Sequence, residues 1–221
     1  MNRIPESELM DDPAQAQAYA QTDFSEPHNA FVQYFRERFP DFRGGDVIDL
    51  GCGAADVTIR YAHAYPRACV TAIDGAQTML ELAQRAVARE HLASRITLER
   101  CRLPATALPK TGFDAVICNS LLHHLDDPCV LWQTVKQISK SGAAVMVMDL
   151  LRPASREQAK HLVRLHATGA PPILLRDFYN SLRAAYLPKE VHGQLDQSGL
   201  GHFRVEVVSD HHMLIWGVAG G

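Results

Sequence analysis

The chain has 221 residues, 47% hydrophobic and 21% charged, proportions that fit a folded domain with a full core and exclude a disordered or fibrous chain. Its 22 basic and 25 acidic residues leave a formal net charge of -3, and the lysines and arginines are scattered, which argues against a nucleic-acid-binding surface. The N-terminal Met1-Asn2-Arg3-Ile4-Pro5-Glu6 lacks the basic start and apolar stretch of a secretory signal, and the most apolar run, 143–151, falls far short of the roughly 20 residues needed to cross a bilayer. A cytoplasmic chain without a membrane span is expected. The five cysteines, Cys52, Cys69, Cys101, Cys118 and Cys129, form no Cys-x-x-Cys pair, so neither a disulfide framework nor a metal site is expected, and they read as reduced, buried thiols.

Apolar runs of strand length recur in chain order at 47–50, 69–73, 96–101, 115–118 and 143–148, with helical patterns at 54–65, 76–91 and 128–139 between them. This alternation predicts a parallel sheet covered by helices on both faces. In the second helix Met79, Leu82, Ala83, Ala86 and Val87 recur at spacings of three and four and place one stripe against the sheet. Ser141-Gly142 is expected to end the third helix. Helices are then expected at 155–168, 177–185 and 188–198, punctuated by Pro171-Pro172 and Pro188. The runs 203–208 and 213–216 flank a short Ser209-Asp210-His211-His212 turn, the pattern of an antiparallel hairpin. With no internal repeat and no linker, one domain is expected over 1–221, with lid helices in 1–43 and a helical insertion at 152–200.

The strongest local pattern is Val47-Ile48-Asp49-Leu50-Gly51-Cys52-Gly53-Ala54-Ala55-Asp56, a strand running into a Gly-x-Gly turn and a helix. Glycines there permit positive φ and close approach of backbone to a ligand. A dinucleotide would set its pyrophosphate at that helix N-terminus, where the Asp56 carboxylate repels it. Asp49 is placed instead to accept from a cationic ligand such as an ammonium, directly or through water. Asp74 ends the next strand twenty-one residues after Gly53, where a carboxylate matches the two hydroxyls of a ribose. The blander alternative is that Asp49 and Asp74 cap turns or helices.

These residues, together with Gly112-Phe113-Asp114-Ala115-Val116 and Asn119-Ser120-Leu121-Leu122-His123-His124-Leu125-Asp126-Asp127-Pro128, resemble the class I S-adenosylmethionine-dependent methyltransferases, in particular the branch acting on small molecules and quinones. The resemblance covers 46–149 and the closing hairpin. It implies an α/β, Rossmann-like, doubly wound sheet of seven strands in a three-layer αβα arrangement, mostly parallel with the last strand antiparallel, and S-adenosylmethionine as cofactor. By position it sets Gly51, Cys52 and Gly53 against the methionine portion, Asp74 on the ribose, Gly75 and Met79 beside adenine, and Asn119 and Leu121 on the opposite wall, with His124 facing inward. Two departures stand out. The family's acid after the third strand is missing from Arg102-Leu103-Pro104-Ala105, so adenine contact near Leu103 and Pro104 rests on backbone and apolar packing. The usual Lys-Pro-Gly-Gly reads Lys140-Ser141-Gly142-Ala143.

Methyl transfer needs no obligatory base, but a hydroxyl or amide acceptor benefits from one. His123 and Asp149, at the ends of the fourth and fifth strands, are the candidates, with the alternative that His123 is a polar residue opening a helix. Tyr19, Phe24 and His28 lie in the segment 14–29 that precedes the first strand, where Tyr19 is a candidate cofactor contact. His166, Asp177, Phe178, Tyr179 and Tyr186 lie in the insertion, as pocket or as core. His211 and His212 read as surface residues. The partner expected is a small-molecule acceptor, with no nucleic acid or membrane, and a monomer or homodimer. The alternatives are an RNA or protein methyltransferase and a non-catalytic S-adenosylmethionine-binding protein. An NAD-dependent oxidoreductase is disfavoured by Asp56 and by the lack of a Tyr-x-x-x-Lys pair.

Overall fold

The structure, a computed structural model, describes residues 1–6, 9–105 and 111–220. Two helices come first, α1 (Pro13–Gln21) and α2 (Ser25–Arg38). The strands β1 (Gly44–Leu50), β2 (Arg67–Asp74), β3 (Ile96–Arg100), β4 (Phe113–Asn119) and β5 (Ser139–Leu150) follow, separated by α3 (Asp56–Ala64), α4 (Gln77–Arg89) and α5 (Cys129–Ile138). Helices α6 (Arg156–His166), α7 (Pro172–Ala184) and α8 (Pro188–Gln197) precede the hairpin of β6 (Arg204–Val207) and β7 (His212–Val218). One seven-stranded sheet has the order β3-β2-β1-β4-β5-β7-β6, with β1 to β5 parallel and β7 antiparallel to both neighbours. The expected architecture is present, including the antiparallel last strand.

The layers follow from the two-residue period of the strands. Val47, Val70, Ile117 and Met146 point to one face and join α2, α3 and α4 in a core with Phe31, Phe35 and Tyr61. Their neighbours Ile48, Ile73, Val116 and Val147 point to the other face and pack with Leu131, Trp132 and Val135 of α5 and Val191 and Leu195 of α8. Because both faces are covered, β5 is buried from Ala143 to Leu150 without alternation. The order runs outward from β1 in one direction and from β4 in the other, which opens a crevice at their carboxyl ends.

Three expectations are corrected. Helix α5 ends at Ile138, and the positive φ of Gly142, +83°, serves an irregularity inside β5, where Phe113 faces Ser139 but Ala115 faces Ala144. Helix α7 begins at Pro172 rather than Asp177, since proline at the first helical position costs no hydrogen bond. Cys52 and Cys118 are buried, but Cys69 is exposed, and all five thiols are free.

Phe35 is fully buried and meets Phe39, Phe42, Tyr61 and Tyr65 at centroid distances of 4.9, 5.4, 5.0 and 5.6 Å, so it ties α2 to α3. Phe35→Ala is expected to lower the unfolding free energy by about 3–5 kcal/mol, measured by urea denaturation. A loss under about 1 kcal/mol would show that this cluster does not anchor α2.

Candidate active site

The turn after β1 is stitched to the end of β2. Gly51 N and Cys52 N both donate to Ile73 O at 2.9 Å, and Gly53 N donates to Asp74 Oδ2 at 2.8 Å. The other carboxylate oxygen, Oδ1, accepts from Ala76 N at 2.8 Å at the start of α4. Gly51 and Gly53 have φ of +77° and +53°, a conformation that favours glycine, and a Cβ on Gly51 would crowd the Leu121 side chain at 3.1 Å. Burial raises the Asp74 pKa, and its backbone hydrogen bonds only partly oppose this. Asp74 thus does hold the turn, as the blander reading has it, while its carboxylate retains acceptor capacity for a ligand.

Behind the turn, Asp49 is 1% exposed and accepts from Thr58 Oγ1 at 2.5 Å. Burial pushes its pKa up to about 7 against the pull of Thr58. A buried carboxyl so close to neutrality gains much from a cation brought beside it. Asp56 begins α3; burial would raise its pKa, but His28, at 2.5 Å, and Arg60, at 2.9 Å, hold it down to about 2. It therefore stays anionic at the helix N-terminus, with Arg60 offsetting part of the charge.

These groups open into one cavity of about 1830 Å³, and every expected cofactor residue lines it: Tyr19, Asp49, Gly51, Cys52, Gly53, Asp74, Gly75, Met79, Leu103, Pro104, Asn119, Leu121 and His124. Tyr19 stacks on Phe24 with centroids 4.7 Å apart, and burial beside Asp56 and Asp74 pushes its hydroxyl up to about 12. Leu9, from the N-terminal segment, lies where a Cβ on Gly75 would meet it at 2.7 Å. Asn119 Oδ1 and His124 Nδ1 are buried without a hydrogen-bond partner, polar atoms that a bound ligand can satisfy.

Of the two catalytic candidates, Asp149 is not among the cavity-lining residues. Its Oδ2 accepts from Leu122 N at 2.7 Å, and its Oδ1 from Leu150 N and His123 Nδ1, both at 2.7 Å. It is a brace between β5 and the 3₁₀ turn Leu122–His124. His123 lines the cavity yet is only 2% exposed. Burial favours its neutral form, but Asp149 overrides this, aided by Glu6, and holds its pKa above the usual value. His124, stacked on it at 4.1 Å, is driven down to about 3 by burial and by His123.

Residues 47–142 match the family model described as a methyltransferase domain. That stretch, from β1 into β5, carries the sequence pattern of a methyltransferase domain. An uncharacterised methyltransferase of Mycobacterium tuberculosis is 30% identical over 123 residues, 56% of this chain and 59% of that protein. A ubiquinone biosynthesis O-methyltransferase of Haemophilus ducreyi is 30% identical over 122 residues, 54% and 51% of the two chains. The matches thus span about half of these relatives' length. Among solved structures, a methyltransferase from Aquifex aeolicus superposes with a TM-score of 0.69 at 18% identity, over 95% of this chain and 99% of that one. The plantazolicin methyltransferase BpumL, solved with a substrate analogue and S-adenosylhomocysteine, gives 0.73 at 12%, over 95% and 91%. Both show the shared fold.

The cavity is also lined by residues that no local sequence pattern marked. His211 and His212, expected on the surface, are half-buried and line the cavity with His28, His166 and Asp210. The signal was present in the hairpin. An antiparallel β7 starts where the parallel strands end, so residues 208–212 fall at the carboxyl edge of the sheet. Leu151 N, just beyond β5, donates to His211 O at 2.8 Å. Phe178 of α7 meets His211 edge-on at 5.8 Å, and Asp177 is held by Gln15 of α1 at 2.8 Å.

Asp74→Ala leaves two backbone donors without their carboxylate. It is expected to lower the stability of the ligand-free protein by about 1.5–3 kcal/mol, read from denaturant unfolding, whereas an unchanged midpoint would mean that Asp74 does not organise the turn.

Proposed function

We propose that this chain transfers the methyl group of S-adenosylmethionine to a small-molecule acceptor bound in the far end of the same cavity. The observation that carries the reading is one continuous space of about 1830 Å³, against roughly 300–1,000 Å³ for a single small-ligand site. One end is lined by the glycine turn and its carboxylates, the other by histidines, Phe178 and Leu174. Partial-length relatives named as ubiquinone and menaquinone methyltransferases support a small acceptor, and neighbours solved with S-adenosylhomocysteine support the cofactor.

In this reading Asp49 takes the ligand ammonium, and Asp74 takes the ribose hydroxyls. Gly51, Cys52 and Gly53 lie against the methionine portion. Gly75, Met79, Leu103 and Pro104 border the adenine, while Asn119, Leu121 and His124 form the facing wall and Tyr19 closes the near side. When bound, the cofactor supplies an electrophilic methyl on a sulfonium. The protein's work is to hold the acceptor atom about 3 Å from that methyl and to exclude water. Helices α1 and α2 act as the lid, and the insertion 152–200 shapes the acceptor end. His123, clamped by Asp149, acts as a positioning residue.

Calorimetry is expected to detect binding of S-adenosylmethionine and S-adenosylhomocysteine and none of NAD. A cation beside Asp49 stabilises its ionised form, so the bound-state pKa falls below the free value of about 7. Affinity is then full above that pH and weakens by up to about tenfold per unit as pH drops from 7 to 5. Asp49→Asn is expected to bind more weakly and to lose this pH dependence, and a wild-type affinity that is flat over the range counts against the ammonium role.

A further inference from the structure

We propose that His211, held by Asp210, takes the proton from the methyl acceptor, and that the acceptor is a weakly acidic aromatic hydroxyl. The inference rests on the methyl-transfer reading above and assigns the group that acts at the acceptor end. His211 Nδ1 and Asp210 Oδ1 are 2.5 Å apart, and the second oxygen of Asp210 is 2.8 Å from His166 Nε2. A proton on each of those nitrogens satisfies both contacts, which fixes the His211 tautomer and leaves the Nε2 lone pair as its acceptor site. The backbone of His211 is fixed as well, because its carbonyl accepts from Leu151 N at 2.8 Å. The ring lies against His166 at 4.1 Å and His212 at 4.0 Å, both tilted, with Phe178 edge-on.

His123, the base suggested by its place after the fourth strand, is less suited. Asp149 and Glu6 favour its protonated form, and its ring is almost fully buried. His211 has the opposite bias: burial is the largest effect, His166 adds to it, and together they outweigh Asp210, so its pKa lies below the usual value. The groups facing it are Asp210 and His212 on its own hairpin, His166 on α6 and Glu26 on α2, with His28 of α2 acting on His212. His211 is therefore neutral at pH 7, and a step that depends on it is full above its pKa and falls as pH drops through it.

The acceptor's class follows from the surroundings. Among the described residues, the cavity-lining side chains of α6, α7 and the hairpin include Asp177 and Asp210 but no lysine or arginine. Arg176 pairs with Asp177 at 3.1 Å but does not itself line the cavity, so a phosphorylated acceptor would meet carboxylates and no lining cation at this end, whereas a flat ring suits Phe178, Leu174 and the imidazoles. In the step, the acceptor O–H bond breaks and its proton goes to His211 Nε2. The freed oxygen lone pair forms the new bond to the methyl carbon, and the carbon–sulfur bonding pair stays on sulfur. A sulfonium and a neutral imidazole become a thioether and an imidazolium, so atoms and charge balance.

The test uses the full chain with phenol, 4-cyanophenol and 4-nitrophenol as acceptor probes, and nuclear magnetic resonance of ¹⁵N-labelled histidines with S-adenosylhomocysteine bound. His211 is expected as the neutral Nδ1–H tautomer at pH 7, with Asp210→Asn releasing it to a mixture of tautomers. His211→Gln is expected to slow transfer to phenol by roughly 10²–10⁴-fold, with the loss shrinking along the series as the probe ionises unaided. Both variants are expected to keep their affinity for S-adenosylhomocysteine, which separates loss of the base from loss of folding. Equal losses on all three phenols, no loss, or a protonated His211 at pH 7 would overturn the proposal. So would one equivalent of Zn²⁺ bound in a manner abolished by Asp210→Asn, or a protein that binds S-adenosylhomocysteine yet methylates no phenol. Failure to bind S-adenosylhomocysteine at all is the separate result that removes the cofactor reading beneath it.

Discussion

Everything at the carboxyl edge of the sheet depends on the hold that the end of β2 has on the turn after β1. Four backbone donors are involved: those of Gly51 and Cys52 on the Ile73 carbonyl, and those of Gly53 and Ala76 on the two oxygens of Asp74. Burial opposes ionisation of Asp74, and the donated hydrogen bonds recover part of that cost. The turn is thereby organised before any ligand arrives, so little ordering remains to oppose binding. Asp49 beneath it and the anionic Asp56 opening α3 flank the turn with carboxylates, which is the charge pattern on which the cofactor reading rests.

The same edge explains how two chemically different ends share one cavity. Reversal of strand order between β1 and β4 opens the crevice at the glycine turn. Beyond β5 the sheet continues through an antiparallel strand, whose first residue, His212, faces Leu150 at the end of β5. That reversal carries Asp210 and His211 to the carboxyl edge. His123 and Asp149 lie between the two ends and serve the frame, because Asp149 joins the turn after β4 to the last residue of β5 through three hydrogen bonds.

Much of this was legible in the residues. Strands buried on both faces leave long apolar runs, and the glycine turn with Asp49 and Asp74 is a local pattern, so its members could be named from spacing alone. What local pattern does not carry is the neighbour across the fold. The positive φ of Gly142 suits a helix end or a strand irregularity equally well, and only pairing with β4 decides between them. Pro171-Pro172 reads as a break, yet the second proline opens α7. Asp149 reads as a site residue because it ends a strand, but its side chain points behind His123. His211 and His212 look like turn residues until β7 is placed next to β5. Thr58 is nine residues from Asp49 and has no motif to mark it; only the return of α3 over β1 brings them together.

The most direct test of the central claim is mass analysis of the small molecules that remain with the full chain through purification and are released on denaturation. S-adenosylmethionine or its demethylated product, in an amount approaching one per chain, is the expected result. A retained nicotinamide or flavin dinucleotide would contradict it, because the turn and its carboxylates would then be accommodating the phosphorylated ligand that their charge is arranged to reject.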